Sequence, residues 1–528
     1  MSPAAAKLLE FYKEEIKKES LMAAGPTLKV NEVLGSLAFI YERVRNAIDY
    51  KGEHLLRRNA IERIIKRQAW NGLPKNPRQA TETLIKELVW AHYLKNNSVP
   101  YSRVEKVTQI LVKYFAFLGQ RPDSEWKNWF LGVASCEIEE ALSAPNLDRT
   151  YVLSMYSWFK ANYRWEDSFL TDQEKDIQIF LAIGRAMPKF DETMLRYHLL
   201  LTYFPEWSNS SLAFDPQLAD RIFKAKETID AELKSPVKFP LFRMIQRLTS
   251  PFIILRELIN SNPDEFETIL GNPEALAEKI EEICLDKYAQ ISQKVSTGIT
   301  RSIIYIFMTK MVFAFLLEVP YELLWLKRIN LLPLGINALL PPALMYLMGL
   351  TIRVPDERNT EKIVAQIKSF VYQDASGEKT PFSLAPKKQG QFLNTIFLAI
   401  YGVVFLLTFG LITMLLLKLH FNIISLAIFF IFLSLILLFG FRIRFTASEP
   451  IVTEEEGGFL GNLFDNVTLP FLSLGAWLSR GLAQFNVLMI LMDFLIEAPL
   501  KSVIAVVGEW ANFIKERKKE VVEVPLQS

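Results

Sequence analysis

The chain has 528 residues, half of them hydrophobic and 22% charged, with 60 basic against 58 acidic side chains and a net charge of +2. That balance excludes a protein built to wrap nucleic acid, which needs a basic excess, and the apolar content excludes disorder as a global description. The two cysteines, Cys136 and Cys284, are too far apart for a CxxC motif, so neither a disulfide framework nor a zinc knuckle is expected.

The first segment, MSPAAAKLLEFYKEEIKKES, lacks the uninterrupted apolar core of a secretory signal and reads as a short amphipathic helix. The region that follows is therefore expected in the cytoplasm. Leu34, Leu37, Tyr41, Val44 and Ile48 step by three and four, which places them on one helical face, and Leu56, Ala60 and Ile64 continue at steps of four. Thr171-Asp-Gln-Glu174 ahead of an apolar run is a capping-box pattern. Asn262-Pro263 and Asn272-Pro273 each set a capping residue before a proline suited to the first helical position. Proline-based breaks recur at 71–77, 119–124, 143–146, 215–217 and 234–240, with no repeat of fixed period and no hairpin signal. The expected fold class is all-α: an N-terminal helical bundle or irregular solenoid, a polytopic membrane region and amphipathic C-terminal helices.

Arg57, Arg58, Arg63, Lys66 and Arg67 cluster on one expected helix. They are candidate contacts for anionic lipid headgroups, set against an ordinary solvated face with pairs such as Glu62–Lys66. The aromatic run YSWFKANYRWEDSF at 156–169 is expected to pack between helices.

Past residue 300 the character changes. Residues 392–417 and 421–440 carry no charge and are long enough to cross a bilayer, with only Lys418, Leu419 and His420 between them for a tight turn. A third expected span, 331–352, holds Pro333, Pro341 and Pro342. A fourth, 302–319, has Lys310 near its middle, and its continuation carries Glu318, Pro320 and Glu322. The connection 353–391 bears Arg353, Arg358, Lys362, Lys368, Lys379, Lys387 and Lys388, whereas the loops at 320–330 and 418–420 bear Lys327, Arg328 and Lys418. Positive residues favour the cytoplasmic side, so the long connection and both termini are expected there, in a multi-pass protein of the cell or inner membrane.

In the tail, Phe471, Leu474, Leu478, Leu482 and Phe485 recur at three and four, as do Val503, Val507, Trp510 and Ile514. Amphipathic helices lying along the membrane or packing on the helical region are expected there, with a re-entrant hairpin over 466–500 as the alternative. The organisation read from these shifts is a cytoplasmic helical domain over 1–210, a second helical subdomain or linker over 211–300, a membrane domain over 301–444 and a membrane-associated tail over 445–528.

Chemistry is sparse. The histidines 54, 92, 198 and 420 are isolated, there is no GxSxG elbow, and Gly377-Glu-Lys379-Thr380 lacks the glycines of a phosphate loop. No catalytic, cofactor or metal residues are expected. A lysine within an apolar span is a candidate site, because a charge there demands a partner. Lys310, Glu318, Glu322 and Asp493 form that candidate polar set. The eight positions from Lys310 to Glu318 span about 12 Å of α-helix, which argues against their pairing within one helix.

Three roles follow as expectations. The first is a non-enzymatic scaffold or adaptor that docks a protein partner through its cytoplasmic helical region. The second is an oligomeric transporter or channel built on Lys310 and the broken span 331–352. The third is an enzyme at the membrane interface using Asp465, Asp493 or Glu497.

Overall fold

The computed structural model describes residues 1–23, 25–30, 55–69, 72–119, 123–143, 147–263, 265–327, 330–352, 355–373, 379–384, 391–447, 452, 459–484, 510 and 514. The expected stripe from Leu34 to Ile48, the tail beyond 484 apart from two single positions, and the candidate residues Asp493 and Glu497 lie outside them.

The fold is all-α. In chain order the helices are α1 (Pro3–Ala23), α2 (Leu56–Gln68), α3 (Pro77–Trp90), α4 (Tyr101–Leu118), α5 (Ser124–Leu142) and α6 (Asp148–Asn162). The strand β1 (Tyr163–Trp165) follows, then α7 (Asp172–Ala186), α8 (Glu192–Tyr203), α9 (Pro216–Leu233), α10 (Lys238–Ser261) and α11 (Phe266–Gly271). Next come α12 (Pro273–Phe313), α13 (Leu331–Leu350), α14 (Glu357–Tyr372), the strand β2 (Thr380–Phe382), α15 (Gln391–Lys418), α16 (Ile423–Ala447) and α17 (Phe459–Gln484). The chain divides into two compact units, one formed by 1–2, 247–374 and 383–485, the other by 3–246, 375–382 and 486–528.

In the second of these units, capping residues explain where the helices begin. Asn76, Asp123, Asp191 and Asp215 each accept a backbone N–H of the first turn, and Thr171 with Glu174 completes the expected capping box. Helix α5 is the centre of this unit: α2, α4 and α8 pack on it, and Phe130, Val133, Ala134 and Ile138 are fully buried. From α2, Ala60 and Ile64 are buried as their spacing implied, joined by Ile61 and Ile65. The strands β1 and β2 pair in parallel over three residues each, a short ladder that no hairpin signal announced because its partners are far apart in sequence. Phe159, Tyr163 and Trp165 from the aromatic run close on Phe382 across it, with Phe159 stacked on Tyr163 at 4.8 Å.

In the other unit, Asn272 caps α12 through the N–H groups of Glu274 and Ala275, as expected. Asn262 does not cap. It sits just past α10 and donates its side-chain amide to the Leu258 carbonyl, while α11 begins only at Phe266. Helix α12 runs 41 residues without interruption, roughly 60 Å, so the expected division near 300 falls inside a helix. Gly298 is the one punctuating residue there, and a single glycine costs a helix only about 1 kcal/mol.

Four helices among the described residues are long and apolar enough to cross a membrane: Pro273–Trp325 in its C-terminal part, Leu331–Leu350, Leu398–Lys418 and Ile423–Phe445. The turn between the last two is tight. His420 adopts a left-handed φ of 62°, Phe421 N–H donates to Leu416 O and His420 N–H to Leu417 O. This is the two-bond pattern that closes a helix at a left-handed residue, with Leu416 and Phe421 in the accompanying apolar contact. Helix α17 packs on the middle of α16. Phe471 stacks near Phe430 at 6.3 Å, and Gly475 lies so close to Ser434 that an added Cβ would strike its backbone carbonyl.

Candidate functional site: a buried polar cluster among apolar helices

Lys310 belongs to the run SIIYIFMTKMVF near the end of α12. The structure buries it to 1% exposure, with Nζ 3.7 Å from Glu318 Oε1, and Glu318 is equally buried. The sequence spacing argued against this pair, and the geometry corrects it. From Ala314 the chain leaves the α-helical path for π-helical turns over Ala314–Glu318 and again over Glu322–Leu326. Bonding from i to i+5 fits more residues into each turn, which shortens the axial advance and resets which residues share a face. The four-carbon lysine stem covers the rest of the gap.

Other elements complete the cluster. From α13, the fully buried Asn337 donates from Nδ2 to Glu318 Oε1 at 2.6 Å and to the Ser425 carbonyl at 3.2 Å. From α16, the Phe432 ring faces Lys310 Nζ at 4.7 Å. Glu322, at 3% exposure, accepts Asn330 N–H on Oε2 at 2.8 Å and Asn422 Nδ2 on Oε1 at 2.9 Å. Four buried atoms here or close by have no hydrogen-bond partner: Lys310 Nζ, Glu318 Oε2 and Asn337 Oδ1 in the cluster, and Ser434 Oγ further along α16. Pro341 adds to the deficit, because it has no N–H to give to the Asn337 carbonyl four residues back.

Magnitudes show how finely this is balanced. Within a bilayer, two such charges would cost about 3 kcal/mol each on insertion scales. A pair near 4 Å returns about 4 kcal/mol at an effective dielectric of 20, and a desolvated cation–π contact about 2. The Lys310–Glu318 pair comes out near break-even and is intolerant of losing one member, since that strands the other charge.

Asp493 lies outside the described residues, so the set expected from sequence is brought together only as Lys310, Glu318 and Glu322. Asn337 and Asn422 were missed, although each is a polar side chain within or at the edge of a strongly apolar segment. Ser425 enters through its backbone carbonyl, which no side-chain pattern signals.

Four of the basic candidates on α2 form ion pairs within the fold. Arg57 makes a forked bond to Glu139, Arg58 pairs with Glu62 and Asp191, Lys66 with Glu62, and Arg67 with Glu87. Arg63 is also on this helix. These pairs account for the charge of four of the five residues within the fold.

A second buried network lies in the helical unit, again unannounced except by a charge within an apolar run. Lys113 Nζ donates to Glu137 Oε1 at 2.6 Å and to the carbonyls of Trp207 and Asn209. Tyr114 donates to Glu137 Oε2, and Trp207 Nε1 donates to Tyr114. Burial lowers the Lys113 pKa and raises that of Glu137, with each partner opposing the other's shift. Beside it, burial raises Glu140 to about 7, and Tyr197 donates to this carboxyl at 3.1 Å. His198, 3.8 Å from Glu140 and stacked on Phe190, is lowered by burial to about 3. Among the described residues no cluster of three or more His, Cys, Asp or Glu is placed to hold a metal ion.

The fold and the cluster together define a class: an all-α protein with, among the described residues, four helices apolar enough to cross a membrane and ionisable groups buried among them. Comparison with protein-family models, with curated proteins and with solved structures finds no match.

Proposed function

We propose that the chain is a multi-pass membrane protein with both termini in the cytoplasm, and that it acts as a non-enzymatic scaffold or adaptor. In this reading its helical region is presented at the inner leaflet to a protein partner. One observation carries the membrane placement: burial in the apolar helices is inverted relative to a water-soluble fold. Leu398, Leu406, Leu411, Met414 and Ile423 are exposed, while Lys310, Glu318 and Asn337 are buried. An exposed apolar surface of this extent calls for lipid or a partner, and uncharged helices of this length favour lipid. The basic connection 353–391 supports its cytoplasmic side. The scaffold role is supported by the helical unit over 3–246, whose helices offer extended surfaces for docking a protein partner.

The test exchanges residues 301–484 for an unrelated membrane anchor of the same topology and compares proximity labelling from the N-terminal region. The scaffold reading expects the same labelled partners in both forms. Loss of those partners, together with ion flux in liposomes that Lys310→Leu abolishes, favours a second reading. That reading is an oligomeric transporter or channel, and the unpartnered atoms around Lys310 are the observation in its favour.

A further inference from the structure

We propose that the cluster around Lys310 is a proton-binding site, with Glu318 Oε2 as the atom that takes the proton. This deepens the second reading and rests on the membrane placement. Counting charge leads to it. Lys310, Glu318 and Glu322 together carry one negative charge in excess, and a net charge in an apolar surrounding is costly. One proton restores neutrality.

The hydrogen bonds decide where that proton sits. Both Glu322 oxygens accept hydrogen bonds, one from the Asn330 backbone N–H and one from Asn422 Nδ2, so neither is left without a partner. Glu318 is engaged on one side only. Its Oε1 faces Asn337 and Lys310, while Oε2 is buried without a partner. A proton on Oε2 creates a donor, and the unpartnered Oδ1 of Asn337 is an acceptor on the residue already bound to Glu318. The step is a simple transfer from solvent to the carboxylate, with no change in oxidation state.

Among the described residues, the other elements packed against the pair bring no further charge to it. From α13 it meets Asn337, and from α16 the Ser425 carbonyl and the Phe432 ring. The only charged residues of α16 are Arg442 and Arg444, ten or more positions past Phe432, and α13 has none. Glu322 lies four residues beyond Glu318 at the start of the second π-helical turn, bonded by Asn330 and Asn422. Protonation removes the carboxylate charge that faces Lys310 Nζ at 3.7 Å and leaves Glu322 as the balancing negative charge of the cluster.

The experiment is infrared difference spectroscopy of the full chain in liposomes, stepped from alkaline to acidic pH, with insertion checked by resistance to alkaline extraction. The expected result is the carbonyl stretch of a protonated carboxylic acid, absent in Glu318→Gln and retained in Glu322→Gln. Lys310→Met, which keeps Glu318, should move the midpoint of that band upward by about 1–3 pH units, because a neighbouring cation is removed. A band that survives in Glu318→Gln, a midpoint unmoved in Lys310→Met, or no band in correctly inserted protein would overturn the proposal. Failure of insertion would instead overturn the membrane placement on which it rests.

Discussion

Two buried lysine–glutamate pairs in this chain solve the same electrostatic problem in opposite ways. Lys113 and Glu137 form a pair in which both groups are fully engaged: the ammonium donates to one carboxylate oxygen and two carbonyls, and Tyr114 donates to the other oxygen. Lys310 and Glu318 stand 3.7 Å apart, with the ammonium and one carboxylate oxygen both lacking a hydrogen-bond partner. A satisfied network fixes one arrangement of a core. An incompletely satisfied one leaves a group free to change state, and this difference separates a structural pair from a candidate working one.

The largest expected effect sharpens the first half of that comparison. Lys113→Met leaves Glu137 buried without its cation and should destabilise the chain by about 3–5 kcal/mol, read as a fall in thermal unfolding temperature followed by tryptophan fluorescence. Double replacement breaks or supports the second half. Lys310→Met and Glu318→Gln should each destabilise, and the double variant should recover at least about 1 kcal/mol of their summed loss. Strict additivity would mean the two do not form a pair.

Packing among the apolar helices gives a smaller effect with its own internal control. Gly475→Ala sets a methyl against the rigid Ser434 backbone and should cost about 1–3 kcal/mol. Gly440→Ala meets only the end of the flexible Met348 side chain and should cost less than about 1. Equal effects would contradict the close approach of α17 to α16.

A further effect is one of pH. Glu140, raised to about 7 from 4.5, favours the folded state most below pH 4.5 and loses that contribution as pH rises through 7. His198, lowered to about 3 from 6.5, contributes fully above 6.5 and loses its share as pH falls towards 3. Between pH 4.5 and 6.5 the two slopes cancel. His198→Phe should therefore expose a decline in stability from pH 4.5 to 7, and Glu140→Gln a rise from pH 3 to 6.5, both measured by chemical denaturation.

Local signals carried much of the fold. The capping box at Thr171, the Asn272-Pro273 helix start and the turn at 418–420 all depend on residues within a few positions of one another. What escaped depended on distance or on departure from regular geometry. The β1–β2 ladder joins residues more than 200 positions apart, and no local pattern encodes it. The Lys310–Glu318 pair escaped because an α-helical rise was assumed where the chain forms π-turns. Lys113 and Asn337 were visible as polar residues in apolar runs, but only packing identifies their partners. Asn262 resembled Asn272 in sequence, yet the next helix starts four residues later, so its side chain turned back to α10.

The central claim is the inside-out arrangement of the apolar helices in a bilayer, and cysteine accessibility in intact cells tests it most directly. Single cysteines are placed by Asn330→Cys, Ser376→Cys and Ser479→Cys in a chain whose two native cysteines, both buried, are replaced. The account predicts that an impermeant thiol reagent labels only the Asn330→Cys protein. Labelling of the Ser376→Cys protein from outside would contradict it, because the 353–391 connection would then lie on the wrong side of the membrane.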